Sequence, residues 1–498
     1  METLREGYFL NFIIIFIILA IVVYYYICQK LNYWRRRGVP QLSNSNKIFG
    51  DFKNGILLRT SPGHHFSDIY REAPPDAPYF GFYILHKPCL LLKDPEIIKQ
   101  IFVRDFNKFS DRRFAGSQQK DSSGMINLFG IKNPAWRYLR MKMSPSFTRS
   151  KLKQMLPFIM ECSKPMLEYL KKNTDDTRNK AIIDAQDVGY RYTADLIGNV
   201  ALGFKSDSFK YPDSDYTKYF MNYFHSLKRM ISIMTVFFMP EFVTIISSVV
   251  LYDTTLIRKI FWSVFKSREK SGEKRGDFID SLIQFKNGEQ DPIYRDNLYS
   301  QSGVFISGLE TSSNVFAFTL MELAWNQNCQ DRARECINSA IAKRGWSIES
   351  FNDMKYLDWC VAEGLRMHPS VPILDRCALE DYKIPNTDLI IEKGTPVYVS
   401  LYGLHRDPQF FDRADTFDPE RFNEDTAGNY PAYMPFGVGP RQCIGVKAGE
   451  LFVKVLLSKI LSEYRVYRRP AEGLKLDKRA TFTIAEDGIK LQFTKLIQ

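Results

Sequence analysis

Residues 436 to 445 read FGVGPRQCIG: three glycines and a proline crowd around one cysteine, Cys443. An apolar helical repeat follows at once. Ile444, Ala448, Leu451, Phe452, Val455 and Leu456 recur at helical spacing, which puts Cys443 at about the N-cap. Unpaired backbone N–H groups and the helix dipole there both favour negative charge. The thiol pKa should fall, and a thiolate is what a metal binds. Gly437, Gly439 and Gly445 permit tight bends and let a flat, bulky ligand approach where a Cβ would otherwise stand. The plain alternative is a glycine turn holding one buried cysteine. Either way, the fold must present this turn at the start of a buried helix.

The chain has 498 residues, enough for several domains or one large multilayered one. No repeat, low-complexity run or linker divides it after residue 45, and most of it reads helical. Strand signals are few: FGFYILHKPCLLL near Phe80, TPVYVS from Thr395, and FTIAEDGIKLQF from Phe482, where Asp487-Gly488 suggests a hairpin turn. The expected fold class is mainly α with a minor β portion. The net charge of +12 is spread without a basic tail, and no nucleic-acid motif is present, so nucleic acid is excluded as a partner. The eight cysteines form no C-x-x-C pair. Their irregular spacing argues for free thiols in a reducing compartment, seven of them acting as small apolar residues.

Tyr8 to Cys28 contains no charge and has the length of a bilayer-spanning helix. Arg5 precedes it; Lys30, Arg35, Arg36 and Arg37 follow, which places the remainder in the cytosol. A cleaved signal peptide would end in small residues, whereas this segment ends in YYYICQKL. The expected organisation is a single-pass N-terminal transmembrane anchor (1–29), a basic linker (30–45) and a cytosolic catalytic domain (46–498). Ile231 to Leu251 is apolar but broken by Pro240 and Glu241, so two short helices, in the core or touching the membrane, are expected there.

Three further motifs accompany the cysteine turn. In KYLDWCVAEGLRMHP, Glu363 and Arg366 share the helical face opposite Leu357, Val361 and Leu365; periodicity alone makes them a solvated salt bridge. In FISGLETSSNVFAF, Gly308, Thr311, Ser312 and Ser313 make a poor helix by propensity, and the Thr311 hydroxyl should bond back to the Ser307 carbonyl. Trp136 and Arg140 stand in WRYLR, and Arg376 follows HPSVPILD. Alone, each would be packing or surface.

Taken together, these motifs resemble the cytochrome P-450 haem-thiolate monooxygenases. F-x-x-G-x-R-x-C-x-G matches at Phe436, Gly439, Arg441, Cys443 and Gly445, a coincidence expected by chance about once in 10⁴ chains. E-x-x-R matches at Glu363 and Arg366, and PERF supplies Arg421. The likeness runs from about Tyr79 to Phe493 and is greatest to the microsomal, insect-type detoxification branch.

The resemblance implies that Cys443 is the axial ligand of haem b (iron protoporphyrin IX), where thiolate donation favours O–O cleavage. It implies that Trp136, Arg140, Arg376 and Arg441 hold the propionates, and that Glu363, Arg366 and Arg421 form a buried structural triad behind the cysteine loop. Glu310 and Thr311 match the catalytic acid and threonine that supply protons during oxygen activation. Ser307 stands where Ala or Gly is usual, adding a hydroxyl that alters water or substrate placement. The proline-rich hinge after the anchor is reduced to Pro40.

The implied reaction inserts one oxygen atom from O2 into a lipophilic small molecule: a xenobiotic, steroid or fatty-acid-like compound. The chain carries no nucleotide-binding glycine motif, so electrons from NADPH must arrive through a partner, a diflavin reductase of the endoplasmic reticulum. Arg137, Lys142 and Lys447 offer a basic docking face. Two other functions fit the motifs: a haem-thiolate isomerase or dehydratase needing no reductase, and a non-catalytic haem- or lipid-binding protein. The substrate pocket is expected from Phe114 to Asn133, the apolar stretch after Tyr219, the helix before Thr311, Ser370 to Leu374 and the turn near Ala485.

Overall fold

The structure, a computed structural model, describes residues 2–113, 128–175, 179–243, 255–288, 298–424, 430–469 and 473–497. Helix α1 (Glu2–Lys30) carries the uncharged run and stands clear of the rest, with Ile15, Phe16 and Tyr25 64–65% exposed. Among the described residues it is the one helix long and apolar enough to cross a bilayer. The basic segment after it docks instead of running free. Trp34 is fully buried against Gly81, where any Cβ would lie 2.3 Å from the indole. The Gly81 N–H donates to the Pro40 carbonyl at 2.8 Å, and Arg37 pairs with Glu392.

Helix α2 (His65–Glu72) follows. The strands in chain order are β1 (Tyr79–Ile84), β2 (Lys87–Leu92), β3 (Lys180–Asp184), β4 (Ile373–Cys377), β5 (Tyr382–Lys383), β6 (Ile390–Ile391), β7 (Pro396–Ser400), β8 (Tyr464–Tyr467) and β9 (Lys490–Lys495). They form a four-stranded sheet ordered β1-β2-β7-β4, a three-stranded sheet β3-β9-β8 and the pair β5-β6. β1, β2 and β7 fall on the stretches whose composition signals strand.

The hairpin expected from Phe482 does not form. β9 pairs with β3 and β8, while the arm before Asp487 makes a single bridge from Ala485 to Leu476. Gly488 does turn, at φ +74°, but a Cβ there would lie 1.9 Å from an Asp184 carboxylate oxygen. That carboxylate also accepts the Ile489 N–H at 3.0 Å. The turn therefore closes on Asp184, not on a second strand.

Helices α3 (Ala135–Met143), α4 (Arg149–Asp175), α5 (Ala185–Leu196), α6 (Asp215–His225) and α7 (Leu227–Phe238) precede the longest described internal helix, α8 (Leu298–Trp325). Then come α9 (Gln327–Arg344), α10 (Lys355–Met367) and α11 (Val446–Glu463). Side-chain caps set several starts: Asp184 accepts the Gln186 and Asp187 N–H groups ahead of α5. α8 survives its poor propensity because packing outweighs it. Phe316, Ala317, Leu320 and Leu323 are fully buried, and the helix is flanked by α5, α10 and α11. Gly364 of α10 lets that helix come close: a Cβ would lie 2.4 Å from the Thr319 hydroxyl of α8.

The apolar run from Ile231 breaks where Pro240 predicts. α7 ends at Phe238, whose ring packs on Phe52 (4.9 Å) and Phe66 (5.4 Å), so this half belongs to the core. Residues 244 to 251 lie outside the described residues. All eight cysteines are free; Cys89, Cys162 and Cys360 are buried, whereas Cys28, Cys329, Cys336 and Cys377 are half-buried. Two apolar clusters make up the interior, one around α4, α5, α8 and α11, the other around the four-stranded sheet and α7. Between them lies a cavity lined from both sides, by Trp136, Val315 and Phe452 on one and Phe237, Ile373 and Leu374 on the other.

Candidate active site

The cysteine turn forms part of the cavity wall. Its backbone is self-bonded: the Gly437 N–H donates to Met434 (2.8 Å), Gln442 to Gly439 (2.9 Å), and Cys443 to Phe436 (2.9 Å). Gly437 and Gly439 hold φ of +75° and +79°. Gly439 is also pressed so close to Phe102 that a Cβ would lie 2.1 Å from its carbonyl oxygen. The N-cap of α11 is Gly445, so Cys443 stands two residues ahead of it, not at the cap. Phe436, Gly445 and Cys443 all line the cavity. Cys443 is accessible from that side and enclosed by protein elsewhere.

The expected fall in the thiol pKa does not occur. Burial pushes the Cys443 thiol up, and the Gly445 N–H, Arg140 and Arg112 only partly offset it. The loop alone therefore does not favour a thiolate; a metal ion held by Cys443 would supply the missing charge.

Guanidinium groups gather beside the turn. Arg441 lies over the Trp136 ring at 4.4 Å and donates to the Ile131 carbonyl at 2.8 Å. Arg140 donates to the Gln442 carbonyl at 2.8 Å. Arg112, which the motifs did not single out, pairs with Asp375 at 2.9 Å and also lines the cavity. Arg376 is buried over the Phe102 ring at 4.6 Å, with its Nη1 on the Asp375 carbonyl at 2.7 Å, and does not line the cavity.

This clustering carries an electrostatic cost. Burial first and then Arg112 push Arg441 down to about 9, and the same causes hold Arg376 well below its ordinary value. Among the described residues, Arg441 Nε and Nη1 and Arg376 Nε are buried without an acceptor. Crowded cations with unused donors, beside a cysteine and a Trp ring, fit a flat metallated ligand carrying two carboxylates; haem is such a ligand.

Opposite the cysteine turn runs α8, contributing Ser307, Gly308, Thr311, Ser312 and Val315. The Thr311 hydroxyl donates to the Ser307 carbonyl at 3.2 Å, the local bond its sequence context predicts. Glu310 turns the other way and is absent from the cavity wall. It pairs through both carboxylate oxygens with Arg229 of α7, one contact at 3.1 Å, with both side chains 4% exposed. Arg229 in turn stacks on Tyr223 at 4.0 Å. The structure thus brings Thr311, Cys443, Arg441, Arg140 and Trp136 to one cavity and leaves Glu310 behind an ion pair. No spacing rule links Arg229 with Glu310, 81 residues later.

Behind the turn, Glu363 and Arg366 are fully buried in a bidentate pair, 2.7 and 2.8 Å, and Arg421 reaches Glu363 at 3.3 Å. Arg366 also donates to the carbonyls of His405 (2.8 Å), Ala414 (2.7 Å) and Thr416 (3.2 Å). The solvated salt bridge that periodicity suggests is therefore an internal clamp between α10 and the segment leading to Cys443. Of the expected pocket segments, Leu128, Phe129, Phe237, Ser307 and Ser370 to Leu374 (all but Pro372) reach the cavity. Residues 114–127 lie outside the described residues, and the turn near Ala485 stays off the wall, although Phe482 meets Phe237 at 5.8 Å.

A family model described as cytochrome P450 matches residues 50–493. Among similar curated proteins, cytochrome P450 6k1 of Blattella germanica is 37% identical over 97% of both chains. Probable cytochrome P450 6g2 of Drosophila melanogaster is 34% identical over 94% of this chain and 95% of its own. Cytochrome P450 6j1 of Blattella germanica is 33% identical over 97% of both.

Proposed function

The chain belongs to the cytochrome P450 family, a monooxygenase of the insect type, and from that premise we propose that it is a membrane-bound haem-thiolate enzyme oxidising lipophilic xenobiotics with NADPH-derived electrons passed on by a diflavin reductase. The observation that carries this reading is the single cavity joining Cys443, the Arg441–Trp136 pair and Thr311. Cys443 would hold the haem iron, Arg441, Arg140 and Arg112 its propionates, and Phe436 and Gly445 the face of the ring. Bound there, the haem supplies the activation of O2, which a thiolate ligand promotes.

The rest is done by the chain. Phe129, Phe237, Val315 and Leu374 exclude water and select an apolar guest, while Ser307, Thr311, Ser312 and Ser370 are the hydroxyl-bearing residues of the same wall. Thr311, on the same cavity wall, would hold a proton for O2 once its hydroxyl leaves the Ser307 carbonyl. Glu310 would join only after releasing Arg229. Glu363, Arg366 and Arg421 keep the cysteine turn in place. α1 anchors the protein in the endoplasmic reticulum membrane, and the basic residues after it leave the catalytic domain in the cytosol.

Arg137, Lys142 and Lys447 are exposed near the cysteine loop and are the proposed contact with the acidic reductase. The test is turnover of a lipophilic substrate under labelled O2, supported either by reductase with NADPH or by added peroxide. One labelled oxygen should appear in the product of the NADPH reaction. Lys142→Glu with Lys447→Glu should slow that reaction about tenfold or more and leave the peroxide reaction within about twofold. Product without NADPH consumption would favour the isomerase reading. Haem binding with no product would favour the non-catalytic one.

A further inference from the structure

Ser370 follows Pro369 at the end of α10, in the stretch that lines the cavity. Its hydroxyl donates to the main-chain carbonyl of Thr311 at 3.0 Å. A carbonyl within a helix has two lone pairs, and the helix uses one of them. The bond from Ser370 loads the other, on a residue that lines the cavity.

Ser370 is itself held from behind. The Thr483 N–H donates to the Ser370 carbonyl at 3.0 Å, and the Thr483 hydroxyl donates to the Pro369 carbonyl. His64 Nε2 lies 3.0 Å from that hydroxyl oxygen. The hydroxyl proton is already committed to Pro369, so the oxygen accepts and His64 Nε2 carries the hydrogen. Burial agrees, holding the His64 imidazole neutral with its pKa down at about 3. The ring is fixed edge-on against Tyr402 at 4.4 Å. Packing closes the joint: a Cβ on Gly63 would lie 2.0 Å from the Thr481 carbonyl oxygen and 2.7 Å from Pro372.

A run of directed hydrogen bonds thus passes from His64 through Thr483 and Pro369–Ser370 to the Thr311 carbonyl, across four segments far apart in sequence. Phe482, next to Thr483, touches Phe237 at 5.8 Å, and Phe237 touches Phe129 at 6.0 Å; both of these partners line the cavity. A guest pressing on Phe237 is therefore one residue from the run.

We propose that Ser370 is a positioning residue for Thr311, held by Thr483 and His64, and that this tie decides how much of the electron supply reaches the substrate. The proposal rests on the monooxygenase reading. Productive turnover consumes substrate R–H, O2, NADPH and a proton and yields R–OH, water and NADP+. When the proton donor is misplaced, O2, NADPH and a proton yield hydrogen peroxide and NADP+, and the substrate is untouched. In this structure the Thr311 hydroxyl is spent on Ser307, so its use requires a rotation from a fixed backbone position. Releasing the carbonyl frees that turn of α8, and misplacement of a reacting group by an ångström costs up to about 10²-fold in rate.

The test compares full-length wild type, Ser370→Ala, Ser370→Thr and Thr483→Val, with reductase and one lipophilic substrate. Ser370→Ala should raise peroxide released per NADPH about threefold or more and lower kcat about fivefold, with KM little changed. Ser370→Thr, which keeps the donor, should restore most of the coupling, and Thr483→Val should fall between. Amide hydrogen exchange across residues 307–316, read without turnover, should be faster in Ser370→Ala and near wild type in Ser370→Thr. Wild-type peroxide ratio and exchange in Ser370→Ala, or no rescue by threonine, overturns the proposal. If Ser370→Ala fails to load haem, the Thr483→Val ratio and exchange decide in the same way. A wild type that binds haem but never consumes NADPH would fail the monooxygenase reading, and the exchange comparison would still decide the tie.

Discussion

His405 links the buried ion pairs to the cysteine turn. Its carbonyl accepts Arg366 Nη1 at 2.8 Å, while its Nε2 accepts the Met434 N–H at 3.1 Å, two residues before Phe436. That acceptor role requires a neutral ring. Burial, and then the Arg366 charge, push its pKa down to about 3 from an ordinary 6.5. As pH falls below 6.5 the unfolded chain takes up this proton first, so the stability it contributes is lost between pH 6.5 and 3. His64, also pushed to about 3, acts in the same direction. Asp51 opposes them: burial raises it to about 6, so the folded form gains a proton before the unfolded one between pH 6 and 3.8. Burial also raises Asp184, Asp195, Asp277, Asp358 and Glu450, which act with Asp51, and lowers His368, which acts with the histidines, so the sign is fixed one residue at a time. His405→Gln should lose less stability than the wild type on acidification below pH 6.5, by up to about 1.4 kcal/mol per pH unit. An unchanged slope in thermal melts from pH 7 to 5 would contradict this account.

α10 shows what local pattern reveals about an element and what it leaves out. Its stripe Leu357, Val361 and Leu365 is buried as the periodicity requires. Its other face is buried too, because the chain from His405 to Phe422 folds over it, and nothing local to Lys355–Met367 signals that cover. Glu363 and Arg366 become legible only together with PERF, whose Arg421 stands 58 residues after Glu363, through the family resemblance. α11, β1, β2 and β7 could be read from periodicity and composition alone. β3, β4 and β8 could not, since KAIID, ILDRC and YRVY are short and each carries charge in place of an unbroken apolar run. Within the site, the cysteine turn, Trp136 and Arg140 were readable as motifs. Arg112 and the Arg229–Glu310 pair were not, because long-range ion pairing leaves no spacing to find. Glu363→Gln would leave two buried guanidiniums short of a counter-charge. It should destabilise the protein by about 3–5 kcal/mol and sharply reduce haem loading, measured by denaturant unfolding and by absorbance of the purified protein. A variant within about 1 kcal/mol of wild type would show that the clamp is dispensable.

At the scale of the molecule, two apolar cores meet across a cavity, and what the cavity needs is supplied from both. The helical core provides α8 and the start of α11; the sheet side provides Phe237, the Ser370–Leu374 stretch and the Arg112–Asp375 pair. Trp34 and Pro40 fasten the segment after α1 to β1, so the long apolar helix and the rest of the chain are joined by a packed connection. The proposed function depends on one bond more than any other, from the Cys443 sulphur to a haem iron. Its most direct test is the absorbance difference spectrum of the dithionite-reduced, carbon monoxide-bound protein, for wild type and Cys443→His. A strongly red-shifted Soret band in the wild type, lost in Cys443→His while haem is retained, is the predicted result. Haem bound by the wild type without that band, or a band that survives the substitution, would contradict the assignment of Cys443 as the axial ligand.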